Sequence, residues 1–383
     1  MAKRSGPDWV PDRRPMIPVA PNAGVSPLRF GDRATMPCVS ERLSGRLRRL
    51  ARGLAGLPVA ALSTLALAGP ALAHGPVPQD PPSAAGLLFG WSFDPAILLP
   101  LAAVAAAWIA AVRRVNAAHP TNPVPRIRSV AFLSGLTAIA FALQSGIERY
   151  DTALFSVHMV QHILLTLVAA PLIALGAPVT LALRVASPRV RGRVLLPVLH
   201  SRPLRVLAHP VVAWLLFAGV MWAAPFSPLF DLALENRLVH DFEHVLFLGV
   251  ALLFWWPAVG LDPAPWRLPP PARLLYVFLQ MPQNTLLAVV ILNAPAVLYA
   301  HYATLDRPWG PTAIFDQHAA GGIMWLAGDL LFIAAIAAIL AGWMRHEDRD
   351  TGRADRQADV ERAAIRTRES RLAERLAEER DRS

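Results

Sequence analysis

Two pairs of histidines, His158 and His162 in SVHMVQHILL and His240 and His244 in VHDFEHVLFL, stand four residues apart inside hydrophobic stretches. Four residues of α-helix make about one turn, ~6 Å of rise, and put both side chains on one face. Two imidazoles so placed can grip one metal ion. Ionisable side chains at membrane depth are costly, which marks them as functional-site candidates. Imidazole suits Cu, Zn, Fe and Ni, so the ligand type does not choose the metal. Met159, Met281 and Met324 offer thioether donors that would favour Cu(I), with plain core packing as the alternative for each. The alternative for the histidines, hydrogen bonding to neighbouring helices, suits a lone histidine better than two pairs.

Asp241 and Glu243 lie inside the second pair. Either can act as a ligand, as a partner that fixes an imidazole tautomer, or as a proton acceptor. Glu243 follows His240 by three residues on the same side of a helix, which favours the partner role. Asp316, Gln317 and His318 open a later hydrophobic stretch. His318 is a further candidate ligand, and Asp316 is equally a candidate helix cap. Gly321 and Gly322, one turn deeper, permit close helix approach. Another stretch carries Gln280, Met281, Pro282, Gln283 and Asn284. Pro282 predicts a kink. The three amides need partners across the bundle, as glue between helices or as the lining of a path to the metal.

The elements that must position these groups are membrane helices. The chain has 383 residues, 54% of them hydrophobic and 17% charged. Apolar runs long enough to cross a bilayer recur from about Pro95 to Trp343. The expected fold is an all-α polytopic membrane helical bundle of seven transmembrane helices after an N-terminal signal sequence. The spans fall at about 95–113, 129–147, 153–175, 207–225, 239–259, 272–299 and 319–344. Residues 1–73 are expected to be an N-terminal extension and signal peptide, with RLSGRLRRLARG as the basic region, LAGLPVAALSTLALAG as the apolar one and Ala71-Leu72-Ala73 as the cleavage site. An uncleaved signal anchor is the alternative. Residues 74–94 then form a short extracytoplasmic segment, 95–345 the membrane domain and 346–383 a charged cytoplasmic tail. The one cysteine, Cys38, precedes the cleavage site, so metal chemistry in the mature chain rests on His, Met, carboxylates and amides.

The net charge of +10 is concentrated before residue 53 and in short loops after the first, third, fifth and seventh spans. That is the positive-inside pattern of a bacterial plasma-membrane protein with its mature N-terminus outside and C-terminus cytoplasmic, and it argues against nucleic-acid binding. In that orientation spans 3, 5 and 7 run inward, and His158, His162, His240, His244 and His318 share one depth in the outer leaflet.

WSFDPAILL, HMVQHILLTLVAAPLIALGAP, HDFEHVLFLGVALLFWWP, MPQNTLLAVVIL with LYAHYA, and DQHAAGGIMW follow one another along the membrane part of the chain. In this order they resemble the CtaG family of membrane proteins needed for cytochrome c oxidase assembly, over about Trp91 to Trp343. The resemblance implies a seven-helix protein that helps mature a haem–copper oxidase at the copper-delivery stage, with oxidase subunits and membrane lipid as partners. His158, His162, His240 and His244 match the family's histidine positions. Asp316, Gln317, Gly321, Gly322 and Trp325 match its last motif, of which His318 is not a part. The function expected is a non-enzymatic assembly factor that holds copper, as Cu(I), in an outer-leaflet histidine site. The alternatives are a haem-binding membrane cytochrome, a metal-dependent oxygenase or hydrolase, and a metal-free assembly scaffold.

Overall fold

The computed structural model describes residues 78–382, so the expected signal sequence and Cys38 lie outside the described residues. Among the described residues the chain is helical throughout, without strands. Six helices of the described residues are long and apolar enough to cross a membrane: α1 (Pro95–Ala118), α2 (Arg126–Tyr150), α3 (Phe155–Val185), α5 (Arg237–Val259), α6 (Pro270–Leu292) and α7 (Ala313–Arg382). The fourth expected span, at about 207–225, is broken. Helix α4 (Pro210–Ala223) is followed by a short helix, Pro228–Glu235, at an angle of 71°. Pro225 and Pro228 flank the corner and supply the reason, because neither offers a backbone N–H to carry a helix through it.

Local chemistry sets the helix ends. Asp94 caps α1 by accepting from Ala96 N at 2.8 Å, ahead of Pro95 in the first turn. Asn236 caps α5, accepting from the backbone of Leu238 and Val239. Gly260 ends α5 in the left-handed region at φ 61°, where an L side chain would be strained. Prolines inside spans deform them locally. Pro171 lacks the donor for the Leu167 carbonyl, and the turns before it widen into a π segment, Leu164–Ala169. There the Thr166 hydroxyl donates to His162 O at 2.6 Å and Trp255 Nε1 to Thr166 O at 2.9 Å. One turn before Pro282 the helix is interrupted: α6 divides at Leu279 into Pro270–Phe278 and Gln280–Leu292, just where the proline ring would meet the Phe278 carbonyl.

Close approaches and aromatic contacts hold the bundle together. Gly135 of α2 lies against the backbone of Ala169 and Ile173 in α3. Trp108 of α1 stacks on Phe132 of α2 with ring centroids 3.8 Å apart. Phe254 of α5 stacks with Phe217 of α4 and Tyr276 of α6. Helix α1 buries only Trp108 and Val115, so it presents most of its surface outward, as a helix at the lipid boundary would. Helix α7 continues without a break to Arg382, and its Ile365, Leu372 and Leu376 are exposed.

Candidate metal centre

Helices α3 and α5 bring the two histidine pairs together. The His158 and His240 rings lie 5.5 Å apart and nearly parallel, and those of His162 and His244 lie 6.0 Å apart. Within each pair the ring centroids are 4.3 Å apart, so four imidazoles form a rough rectangle with two corners on each helix. All four are buried, His158 and His240 completely. The Nε2 atoms of His158 and His162 are 2.6 Å apart, which requires a proton or a cation between them.

Two buried carboxylates complete the cluster. Glu243 of α5 offers an oxygen within 4.8 Å of donor atoms of His158 and His162, and those two lie as close to each other. Asp151, in the turn before α3, makes a second such group with His240 and His244. Its Oδ2 is 3.7 Å from His240 Nε2. Burial, with Glu148 nearby, pushes the Asp151 carboxyl well above the usual carboxylate range. Glu243 Oε2 and His162 Nδ1 have no hydrogen-bond partner among the described residues. Unpaired polar atoms at such depth are costly. A cation would satisfy Glu243 at the cluster. The donor set of imidazoles and carboxylates therefore fits a metal ion.

Gln161, which points from α3 between the histidine turns, connects the cluster to the second helix. Its Nε2 donates to Ala142 O at 3.0 Å and Glu148 Oε2 at 2.6 Å. That orientation leaves its Oε1 to accept from His244 Nε2 at 3.0 Å. The bond fixes His244 as the tautomer with its lone pair on Nδ1. Aromatic rings close the surroundings: Phe247 packs on His162 and Phe230 on His158, and Tyr302 donates to the Asp151 carbonyl at 2.7 Å.

The remaining sequence candidates occupy other places. Asp241 is half-exposed, 4.0 Å from Arg237 Nε, and belongs to neither donor group. His318 lies 3.4 Å from Ala294 O and is outside both donor groups. Gln317 straps the loop before α7, accepting from Leu298 N at 2.8 Å and donating to Ala296 O at 3.2 Å. Gln280 donates to Gln283 within α6. Asn284 reaches across to Met324 O and Asp329 of α7, and Thr285 donates to Asp329 at 2.7 Å. These amides make a polar seam between α6 and α7. Met281 packs in the apolar cluster around Phe254 and Phe332, and Met159 and Met324 pack in the one around Phe155 and Leu287.

Asp316 does cap a helix, though not its own. It accepts from Phe155 N at 2.6 Å, Ser156 N at 3.4 Å and the Ser156 hydroxyl at 2.5 Å, at the start of α3. Leu154, at that N-cap, has no side chain able to do this. Asp316 thus anchors the turn that carries His158. Asp316→Ala should cost about 1–3 kcal/mol, the range for unpairing buried donors. Thermal unfolding in detergent would measure the loss, and Asp316→Asn should recover part of it.

Asp151, Gln161 and Asp329 were absent from the sequence-derived site. Gln161 and Asp329 had a signal, as polar residues inside apolar spans. Asp151 had none, because an acid in a short loop ordinarily faces water.

The fold and the cluster define a polytopic helical membrane protein with a buried, metal-competent centre between two spans. Residues 106–346 match the family of cytochrome c oxidase caa3 assembly factors, Caa3_CtaG, and the chain belongs to that family. It is 37% identical over 297 residues to an uncharacterized protein of Mycobacterium bovis, covering 75% of this chain and 44% of that one. An uncharacterized Mycobacterium tuberculosis protein gives the same figures, and one of Mycobacterium leprae is 36% identical over 290 residues, covering 74% and 44%. The chain thus spans less than half the length of these curated relatives. No solved structure matches it.

Proposed function

We propose that this protein is a non-enzymatic assembly factor for a haem–copper cytochrome c oxidase, and that it binds copper at the α3–α5 histidine cluster and passes it to an oxidase subunit. One observation carries the reading: four buried imidazoles, two from each helix, stand together with neighbouring ring centroids no more than 6.0 Å apart, beside two buried carboxylates. Imidazole accepts both Cu(I) and Cu(II), and carboxylate adds affinity for the divalent state. Delivery needs only exchange of one protein ligand set for another. His158, His162, His240 and His244 would be the ligands, Gln161 would orient His244, and Asp316 would hold the first turn of α3. The arginine distribution supports an orientation with this end of the bundle outside and the long tail of α7 in the cytoplasm.

Copper analysis of the purified full chain, beside oxidase activity in membranes of cells lacking it, tests the proposal. Protein-bound copper and an oxidase restored by the wild-type chain are expected. A haem Soret band with no copper would overturn the copper reading. Absence of any metal after loading with Cu(II), and with Cu(I) under reducing conditions, would reduce the protein to a scaffold.

A further inference from the structure

We propose that the centre holds two metal ions side by side, one for each His-x-x-x-His pair, rather than one ion shared by four histidines. The inference rests on the reading that this centre binds metal, and it specifies how.

The donors divide by geometry. His158 and His162 form one group with Glu243, and His240 and His244 form another with Asp151. The division is reciprocal across the two helices. Helix α3 supplies a pair to the first group, which takes its acid from α5. Helix α5 supplies a pair to the second, which takes its acid from the turn leading into α3. In each group the three donor atoms lie within 4.8 Å of one another. Ligand bonds to borderline divalent ions are ~2.0–2.2 Å long, so donors on one ion are separated by no more than about 4.4 Å. Each group therefore needs only a few tenths of an ångström of closure, within reach of side-chain rotation.

Charge points the same way. Asp151 is fully buried and Glu243 is 6% exposed. A single ion at the middle of the imidazole rectangle would leave both carboxylates buried without a ligand role, a costly arrangement in a low-dielectric interior. Two ions, each with two neutral imidazoles and one carboxylate, give both buried carboxylates a cation to ligate. Two imidazoles and one carboxylate also suit a divalent ion better than they suit Cu(I). The ions would sit close together, because the two groups touch through His158 and His240, whose rings are 5.5 Å apart.

The test is metal stoichiometry of the full chain, purified in detergent, loaded with Cu(II) and freed of excess ion by desalting. Two coppers per chain are expected. The electron paramagnetic resonance spectrum should show dipolar broadening and a half-field transition, the mark of neighbouring Cu(II) ions. His158→Asn/His162→Asn and His240→Asn/His244→Asn should each retain one copper and give a single-ion spectrum. Glu243→Gln and Asp151→Asn should each weaken one site and spare the other. One copper per wild-type chain, with an isolated-ion spectrum, would overturn the two-ion inference while leaving metal binding intact. No copper at all would overturn both. The wild-type stoichiometry and spectrum decide the matter even if a paired variant fails to fold.

Discussion

Replacing His158 and His244 by asparagine should strip the purified protein of copper and, in the same cells, block oxidase maturation. The two residues stand on different helices and in different donor groups, so the double change removes a ligand from each. Loss of an outer hydrogen-bond partner alone lowers metal affinity by about 10–100-fold. Loss of a direct ligand should exceed that, so copper should fall to background after desalting. Asparagine keeps polar character at two buried positions, which limits the harm to folding. Gln161→Leu is the graded control. It removes the acceptor 3.0 Å from His244 Nε2 and leaves every ligand in place, so affinity should fall by ~10–100-fold and oxidase activity should recover with added copper. Membrane levels of each variant, followed by immunoblot, separate loss of metal from loss of protein. A double variant that is copper-free yet matures the oxidase at the wild-type level would leave the histidines a structural role only.

Much of this architecture was legible because a bilayer imposes a strict rule. Backbone groups in hydrocarbon must pair within their own segment, so apolar runs become helices near their sequence limits. The spans expected at 95–113, 239–259 and 272–299 correspond to α1, α5 and α6 within a few residues at their starts. The bend after α4 depends on the joint effect of Pro225 and Pro228 with the packing around them, which hydropathy averages away. At the centre, helical spacing placed each histidine pair on one face, but it could not reveal that α3 and α5 are neighbours. That is a long-range fact, and the roles of the acids depend on it. Glu243 had its place beside His240 from sequence spacing, yet its carboxylate groups with His158 and His162 of the opposite helix. Asp151 belongs to the centre only because the turn before α3 folds inward under Tyr302, whose hydroxyl holds the Asp151 carbonyl. Asp316 follows the same logic: its N-terminal position suggested a cap, and tertiary packing decided which helix it caps.

The adjacent glycines of α7 give a sharp test of that packing, because their surroundings are opposite. A Cβ at Gly321 would lie 2.8 Å from Leu292 N and 3.0 Å from Ala288 O, backbone atoms of α6 that cannot rotate away. A Cβ at Gly322 would meet nothing within 4 Å. Gly321→Ala should therefore cost ~1–3 kcal/mol as overpacking between α6 and α7, and Gly321→Leu more. Gly322→Ala should stabilise α7 by up to ~1 kcal/mol, since alanine loses less backbone freedom than glycine in a helix. Thermal unfolding of the two alanine variants in the same detergent should shift in opposite directions. The consequence should extend to the centre. Gly321 lies five residues after Asp316, which holds the start of α3 through Phe155 and Ser156, and His158 is two residues further on. Pushing α7 off α6 moves that anchor, so Gly321→Leu should weaken copper binding without touching a ligand, while Gly322→Ala leaves it unchanged. Equal effects of the two alanine substitutions would mean that α6 and α7 do not meet at Gly321, and that the anchor at Asp316 is set by other contacts.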